Sequence, residues 1–419
     1  MTLKSTGQVF KEGDVISING NTGEVISVEI PTSSASIHGN FEKVLGWADA
    51  IPDSLKVLTN ADSGPDSAKA AELGAKGIGL TRTEHMFFAP ERLPVVRRWI
   101  LKDEGLDKLR EFQQADFREI FAAMNGKPVT IRMLDPPLHE FLPPKDHVDQ
   151  SMADQLGFNK PSELVDAIES MHEENPMLGL RGCRLGIVRP VLTDMQVEAI
   201  INAAADLMEK DPVGAKPFPR LMIPLVGSLA EFQVEAIQIK RVAERVKAER
   251  KIDVPYEIGT MIEVPRAAIV SEKIAGIIDE TDGKRLCQFF SYGTNDLTQM
   301  TMGISRDDAG TFIPQYLGKG IMLEEPFKTI DEDGVGFLVR LSAAKGRMAN
   351  PDLSLSVCGE HGGDPESIAF FDEIGLDYVS CSPFRVPVAR LAAGQAAILR
   401  RRKDLTSRKE RVTSFVPKI

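Results

Sequence analysis

Eight short apolar runs punctuate the chain: "VLTNAD", "GIGLTRTE", "VTIRMLD", "LGLRG", "LMIPLVG", "EIGTMIEV", "QFFSYGTND" and "LSLSVCGE". Each has the length and β-favouring composition of a strand, and longer segments, many with helical periodicity, separate them. Strands that alternate with helices pair in parallel, because a helix carries the chain back to the starting edge of the sheet. Eight such units, over roughly 340 residues, predict an α/β fold of the (β/α)8 TIM-barrel type with insertions. In that fold the chemistry sits where the strands end. An open doubly wound sheet would carry a glycine-rich nucleotide loop after an early strand, and neither GxGxxG nor GxxxxGK[ST] occurs.

Around this rhythm the chain divides into three parts. The opening "VFKEGDVISINGNTGEVISVEI" alternates about a Gly/Asn-rich turn and reads as a β-hairpin, too small to stand alone. Residues 31–55 read as a connector with a short helix. Two capping boxes mark helix starts: Ser228 with Glu231, and Thr193 with Gln196. The end of the chain, within "LRRRKDLTSRKERVTSFVPKI" at 399–419, reads as a solvated basic tail, bounded as 401–419. With a net charge of −11, the surface does not suit nucleic acid, whose phosphates demand clustered Lys and Arg. No signal core or membrane-length apolar run appears, and the four cysteines show neither CxxC spacing nor a disulfide framework. A cytoplasmic protein with no membrane partner is expected.

The ends of the runs carry polar residues that a barrel would gather on one rim. These are Arg82, Arg132, Arg181, Glu263, Asp296 and Cys358. Singly, a strand-end acid is a helix cap or an ion-pair partner. As the ends of consecutive strands about 4.8 Å apart, Glu263 and Asp296 make a two-carboxylate site for a hard cation such as Mg²⁺, completed by substrate and water oxygens. Three arginine forks beside it suit a small, highly charged anion, and Arg306 offers a fourth. Gly293, Thr294 and Asn295, just before Asp296, offer close backbone approach and an amide to a carboxylate. Cys358 ends its run before a Gly-Gly turn, where a thiol could exchange a proton with a substrate carbon, its thiolate favoured by nearby cations and by the helix after Gly363. His85 and His361 read as structural. No lysine stands at a run's end, which argues against Schiff-base chemistry.

The motifs "GIGLTRTEHMFF", "IRMLDPP", "GLRGCRLG", "GTMIEVPRAA", "SYGTNDLTQMTMGISRDD", "CGEHGGDP" and "DYVSCSPFRVPVARLAA" resemble those of the PEP-utilising enzymes, most closely the PEP/pyruvate-binding barrel of the dikinase branch. Enzyme I of the sugar phosphotransferase system and PEP synthase share the GTND-type and CGE-type centres and are the alternatives within the group. A non-catalytic dimerisation or ligand-binding module is the alternative outside it. The resemblance implies a phosphotransferase: Arg82 and Arg132 hold the phosphoryl group, Glu263 and Asp296 hold Mg²⁺ with phosphoenolpyruvate or pyruvate, Gly293, Thr294 and Asn295 hold the substrate, and Arg181 lies close to it. Cys358 is implied as the proton donor and acceptor at the methylene carbon. It also implies a homodimer and a swivelling phosphohistidine domain as phosphoryl donor. None of the six histidines has the "TSHAA" context of that carrier; "SSASIHGN" around His38 does not match. The expected division is therefore 1–40 as the tail of the phosphohistidine domain and linker, 41–400 as the PEP/pyruvate-binding barrel, and 401–419 as the basic tail, the whole reading as a C-terminal fragment or a natural partial protein.

Overall fold

The computed structural model describes residues 7–19, 24–31, 37–135 and 137–414, with side chains as far as Lys403. Its contacts divide into two compact units, 1–38 and 39–419. The first contains the expected hairpin, Ser17–Asn19 antiparallel to Glu24–Ile26 with Ser17 opposite Ile26. The Gly/Asn-rich turn at 20–23 lies outside the described residues.

In the second unit eight parallel strands close into a barrel: β1 (Lys56–Asn60), β2 (Ile78–Arg82), β3 (Pro128–Arg132), β4 (Phe218–Ile223), β5 (Glu257–Ile262), β6 (Phe289–Tyr292), β7 (Ser354–Val357) and β8 (Tyr378–Cys381). Sequence neighbours are spatial neighbours, and β8 pairs β1 with Tyr378 opposite Lys56 to close the ring. Apart from their first residues, β4 and β5 are buried throughout, as strands covered on both faces must be. Leu80, Met222, Met261, Phe289 and Cys358 meet inside the barrel as one buried cluster.

Seven of the eight apolar runs supply strands. "LGLRG" does not: Gly182 takes φ +55° and opens a helix, so the segment turns instead of pairing. The missing strand is β8, four residues long and half of them Ser and Cys, which gives it little hydrophobic signature.

The helices around the barrel include α1 (Asn40–Asp49), α2 (Leu106–Ala123), α3 (Gly182–Val188), α4 (Pro190–Lys210), α5 (Leu229–Arg250), α6 (Thr294–Met302) and α7 (Val386–Ser414). The first capping box forms: the Ser228 hydroxyl accepts the Glu231 N–H at 3.3 Å, and Glu231 accepts the Gly227 N–H at 2.8 Å. The second does not. Pro190 starts α4 a turn earlier, which frees Thr193 to bond Glu235 at 3.1 Å and Gln196 to accept the Leu134 N–H at 2.9 Å. The stretch read as a solvated tail continues α7 to Ser414, and its first residue, Arg401, pairs with Asp53 at 3.2 Å. Residues 415–419 lie outside the described residues. No described helix is long and apolar enough to cross a membrane.

Candidate active site

Strand register assembles the site. Arg82 and Arg132 are the last residues of β2 and β3 and stand directly opposite each other. On the far side Ile262, Tyr292 and Val357 are aligned across β5, β6 and β7. The residues one step beyond them, Glu263, Gly293 and Cys358, therefore form a row along the same rim. Asp296 is not at a strand end as expected; it sits in the first turn of α6, whose N-cap is Gly293. A carboxylate there is favoured by the unpaired N–H groups of the helix start.

These residues line a cavity of about 510 Å³ at the C-terminal mouth of the barrel. Arg82, Arg132, Arg181, Arg306, Glu263, Gly293, Asn295, Asp296 and Cys358 all face it. Thr294 does not line it: fully buried, its hydroxyl lies 2.7 Å from His361 Nδ1, and His361 Nε2 reaches the Pro326 carbonyl at 2.8 Å. Burial lowers the pKa of His361, so this ring is a neutral strut beneath α6.

Two arginines are held by acids that the strand-end reading passed over. Asp135, fully buried, bonds Arg181 at 2.6 and 3.2 Å and Arg132 at 2.9 Å, and Glu84 pairs with Arg132 from the other side. The acids keep both guanidiniums charged despite their burial. Burial opposes ionisation of Asp135, yet the two arginines hold its pKa below the usual range. The signal was in the runs themselves, since "GIGLTRTE" and "VTIRMLD" end in these acids. Arg181 comes from the start of α3, on the long β3–β4 connection, rather than from a strand. Arg82 differs from both: among the described residues its guanidinium has no partner. Arg306 is exposed, and its backbone N–H donates to Gln299 Oε1 at 2.7 Å.

The acidic pair is under electrostatic stress. Glu263 is fully buried; Oε1 accepts the Leu225 N–H at 2.6 Å, while among the described residues Oε2 has no hydrogen-bond partner. Burial first, then repulsion from Asp296 and Asp135, raises its pKa well above the carboxylate range, although Arg132 and Arg181 oppose the shift. Asp296 is raised too, chiefly by burial, with Arg181, 3.7 Å away, pulling the other way. The backbone is fitted closely around the pair. Leu225 takes the left-handed φ of +59°, which aims its N–H at Glu263. A side chain at Gly293 would meet Glu263 Oε2 and Met261 Sδ at 2.7 Å.

A divalent cation fits this donor set. An orphaned buried carboxylate oxygen stands beside a second carboxylate, and both are hard ligands. The lining also carries six acidic side chains against four arginines, so a multiply charged anion needs further positive charge to enter. Among the described residues no group of three or more His, Cys, Asp or Glu side chains is arranged around a metal position. The rest of the shell falls to substrate and water.

Cys358 stands where the barrel's apolar interior meets the cavity. Its N–H donates to the Tyr292 carbonyl at 3.1 Å, and its carbonyl accepts from Asn60 Nδ2 at 3.0 Å. The expected thiolate is not what the environment favours. Burial pushes the thiol up to about 11, and the Ser291 hydroxyl, Arg82 and Arg132 only partly offset it. The N-terminus of the helix after Gly363 is already capped by Asp364, which accepts the Ser367 N–H at 2.9 Å. Cys381, equally buried, is not part of the cavity lining. All four cysteines are free.

Fold and site together define a (β/α)8 barrel that presents arginines, a carboxylate pair and a buried thiol to a small anion at its C-terminal mouth. The chain belongs to the PEP-utilising enzyme family, matching its PEP-binding domain over residues 40–398. It is 50% identical over 398 residues to the chloroplastic pyruvate, phosphate dikinase of Mesembryanthemum crystallinum, 49% identical over 397 to pyruvate, phosphate dikinase 1 of Arabidopsis thaliana, and 46% identical over 403 to the pyruvate, phosphate dikinase of Clostridium symbiosum. These alignments take in 93%, 93% and 95% of the chain but only 40%, 40% and 45% of the relatives.

Proposed function

We propose that this barrel binds phosphoenolpyruvate or pyruvate together with Mg²⁺ and carries out the pyruvate half of the dikinase reaction, in which a phosphoryl group passes between a histidine on a separate domain and the enolate oxygen of pyruvate. One observation carries the reading. A single cavity holds a buried carboxylate oxygen and an arginine that have no partner among the described residues, together with a second carboxylate. An anion bridged to a divalent cation supplies what each of them lacks.

In this reading Arg82 and Arg132 hold the phosphoryl oxygens, their forks matching its geometry and balancing its charge. Asn295 spends its side-chain oxygen on the Glu360 N–H at 3.1 Å, which leaves its amide nitrogen to donate to the substrate carboxylate. Arg181 neutralises charge close by, and Arg306 closes the mouth. Glu263 and Asp296 would hold Mg²⁺, which when bound supplies positive charge to the enolate and phosphoryl oxygens. The Cys358 Sγ delivers a proton to the methylene carbon or removes one from the methyl group. Toward phosphoenolpyruvate, the phosphorus–nitrogen bond to the donor histidine breaks as the bond to the enolate oxygen forms, and Cys358 keeps the methyl proton. The reverse direction begins with Cys358 as the thiol that its environment favours.

We assign residues 1–40 to the end of a phosphohistidine domain and linker, 41–400 to the catalytic barrel, and 401–419 to a basic extension. Four free thiols suit a reducing cytoplasm. The barrel is expected to form a homodimer. Exposed apolar residues such as Trp47, 70% exposed on α1, supply possible contact surface, and sedimentation at micromolar concentration returning a monomer mass would count against it. The deciding experiment is calorimetric titration with phosphoenolpyruvate, with and without Mg²⁺. Binding that requires Mg²⁺ is expected, and absence of binding in its presence would refute the assignment.

A further inference from the structure

At the mouth of the same cavity lies a pair of side chains that this mechanism leaves unused. His85 stands three residues after Arg82, in the short turn Thr83–Phe87, and lines the cavity. Its Nδ1 lies 2.7 Å from Asp62 Oδ2, and the other Asp62 oxygen accepts the Arg82 backbone N–H at 2.7 Å. One carboxylate thus orients the imidazole and anchors the strand end that carries the unpartnered arginine. With Nδ1 engaged, Nε2 is the ring nitrogen left over, and among the described residues it has no partner. The side chain is 51% exposed, open to a ligand arriving from solvent.

We propose that His85, oriented by Asp62, donates its Nε2–H to the phosphoryl group held at Arg82, giving the site a third phosphoryl contact that favours phosphorylated over unphosphorylated ligands. The inference rests on the phosphoenolpyruvate-binding reading above. Its logic is that of a carboxylate–imidazole pair. With the Nδ1 proton committed to Asp62, the neutral ring turns a lone pair toward the cavity and only the protonated ring offers a donor there. The contact is therefore present below the pKa of His85 and lost as the pH rises through it. The charged groups that act on the ring are Asp62, from the loop after β1, and Glu84 and Arg82, from its own segment. The bond to Asp62 raises the pKa, and this, with the charges of Asp62 and Glu84, outweighs partial burial and Arg82.

The test is calorimetric titration of the full chain with phosphoenolpyruvate and, separately, with oxalate, which has no phosphoryl group, both with Mg²⁺ and across about pH 6–9. Wild type, His85→Gln and Asp62→Asn are compared, so that the ligand's own ionisation is common to all three. His85→Gln is expected to weaken phosphoenolpyruvate about three- to tenfold at low pH and to lose the His-dependent fall in affinity at higher pH, with oxalate unchanged. In Asp62→Asn that fall should move to lower pH, because the imidazole loses its partner while an amide oxygen still accepts the Arg82 N–H. A His85→Gln protein that matches wild type in affinity and pH profile, or that loses phosphoenolpyruvate and oxalate equally, would overturn the role of His85 alone. Failure of wild type to bind either ligand would overturn both this proposal and the reading beneath it.

Discussion

At the scale of single residues, Glu263 shows how a site is held ready at the expense of stability. Its folded pKa is raised, so the stability it contributes is present below the unfolded carboxyl value and lost as the pH rises through the folded one. As the pH rises above the unfolded carboxyl value, burial of this carboxyl therefore works increasingly against the fold. Glu263→Gln should raise the melting temperature of the metal-free protein at neutral pH, by about 1–3 °C, and abolish Mg²⁺-dependent phosphoenolpyruvate binding. Differential scanning calorimetry with titration reads both; a lower melting temperature or retained binding would contradict the assignment. Cys358 is the complementary case, since its thiol, pushed up to about 11, leaves only a small thiolate fraction at neutral pH. Exchange of pyruvate methyl protons into deuterated solvent should accelerate as the pH rises from about 7 to 9, because removing a carbon-bound proton requires the thiolate. By NMR, Cys358→Ala should bind pyruvate and Mg²⁺ normally yet show no exchange. Exchange that survives in Cys358→Ala would reassign the base.

At the scale of elements, what the sequence disclosed and what it concealed follow from how each segment stores its information. Strands buried on both faces read as apolar runs, and seven were visible on that ground. β8 was not, because Ser380 and Cys381 pack as well as aliphatics once buried but do not resemble them in a sequence. Arg181 was legible as a rim residue for a reason that proved wrong, since a helix start and not a strand end carries it there. Asp135 and Glu84 stayed hidden because their importance lies in which arginine they face, and that depends on barrel register. The expected thiolate failed because proximity to cations is readable from the rim pattern and depth of burial is not. The start of α3 is where these elements meet most tightly: at Gly182, with φ +55°, a side chain would lie 2.7 Å from Leu225 Cβ and 2.9 Å from Asp135 Oδ1. Gly182→Ala should cost about 1–3 kcal/mol from the backbone conformation and the clash. Because Asp135 anchors two arginines, phosphoenolpyruvate affinity should also fall by about tenfold or more. Thermal melting and titration separate the two, and a change in stability alone would show that α3 is not part of the site's framework.

At the scale of the molecule, the barrel has two mouths, and the way each treats its charges distinguishes them. At the N-terminal ends of the strands lies a cavity of about 750 Å³, larger than the one at the opposite end. Three of its four cations are paired, Arg220 with Glu257 at 2.6 Å, Lys76 with Asp49 at 3.2 Å and Arg347 with Asp377 at 3.0 Å, and the fourth, Lys56, is exposed to solvent. Arg220, almost wholly buried, also bonds the Tyr378 hydroxyl and lies 4.1 Å from the centre of the Phe289 ring, closing the apolar interior from below. Satisfied charge of this kind ties strands together, whereas the C-terminal mouth keeps an arginine and a carboxylate oxygen without partners among the described residues. Volume would choose the N-terminal end; unmet electrostatic demand chooses the C-terminal one, where we propose the chemistry takes place. Arg220→Met keeps most of the side-chain volume but leaves Glu257 and Tyr378 without their partner. It should destabilise the barrel by about 2–4 kcal/mol, read by denaturant unfolding, because one half of a largely buried ion pair is removed. Phosphoenolpyruvate affinity should stay within about twofold of wild type, since no group at the C-terminal rim touches Arg220. A large loss of affinity in a protein that remains folded would mean that the two mouths are coupled through Phe289, and that stability and chemistry are not separated in this barrel.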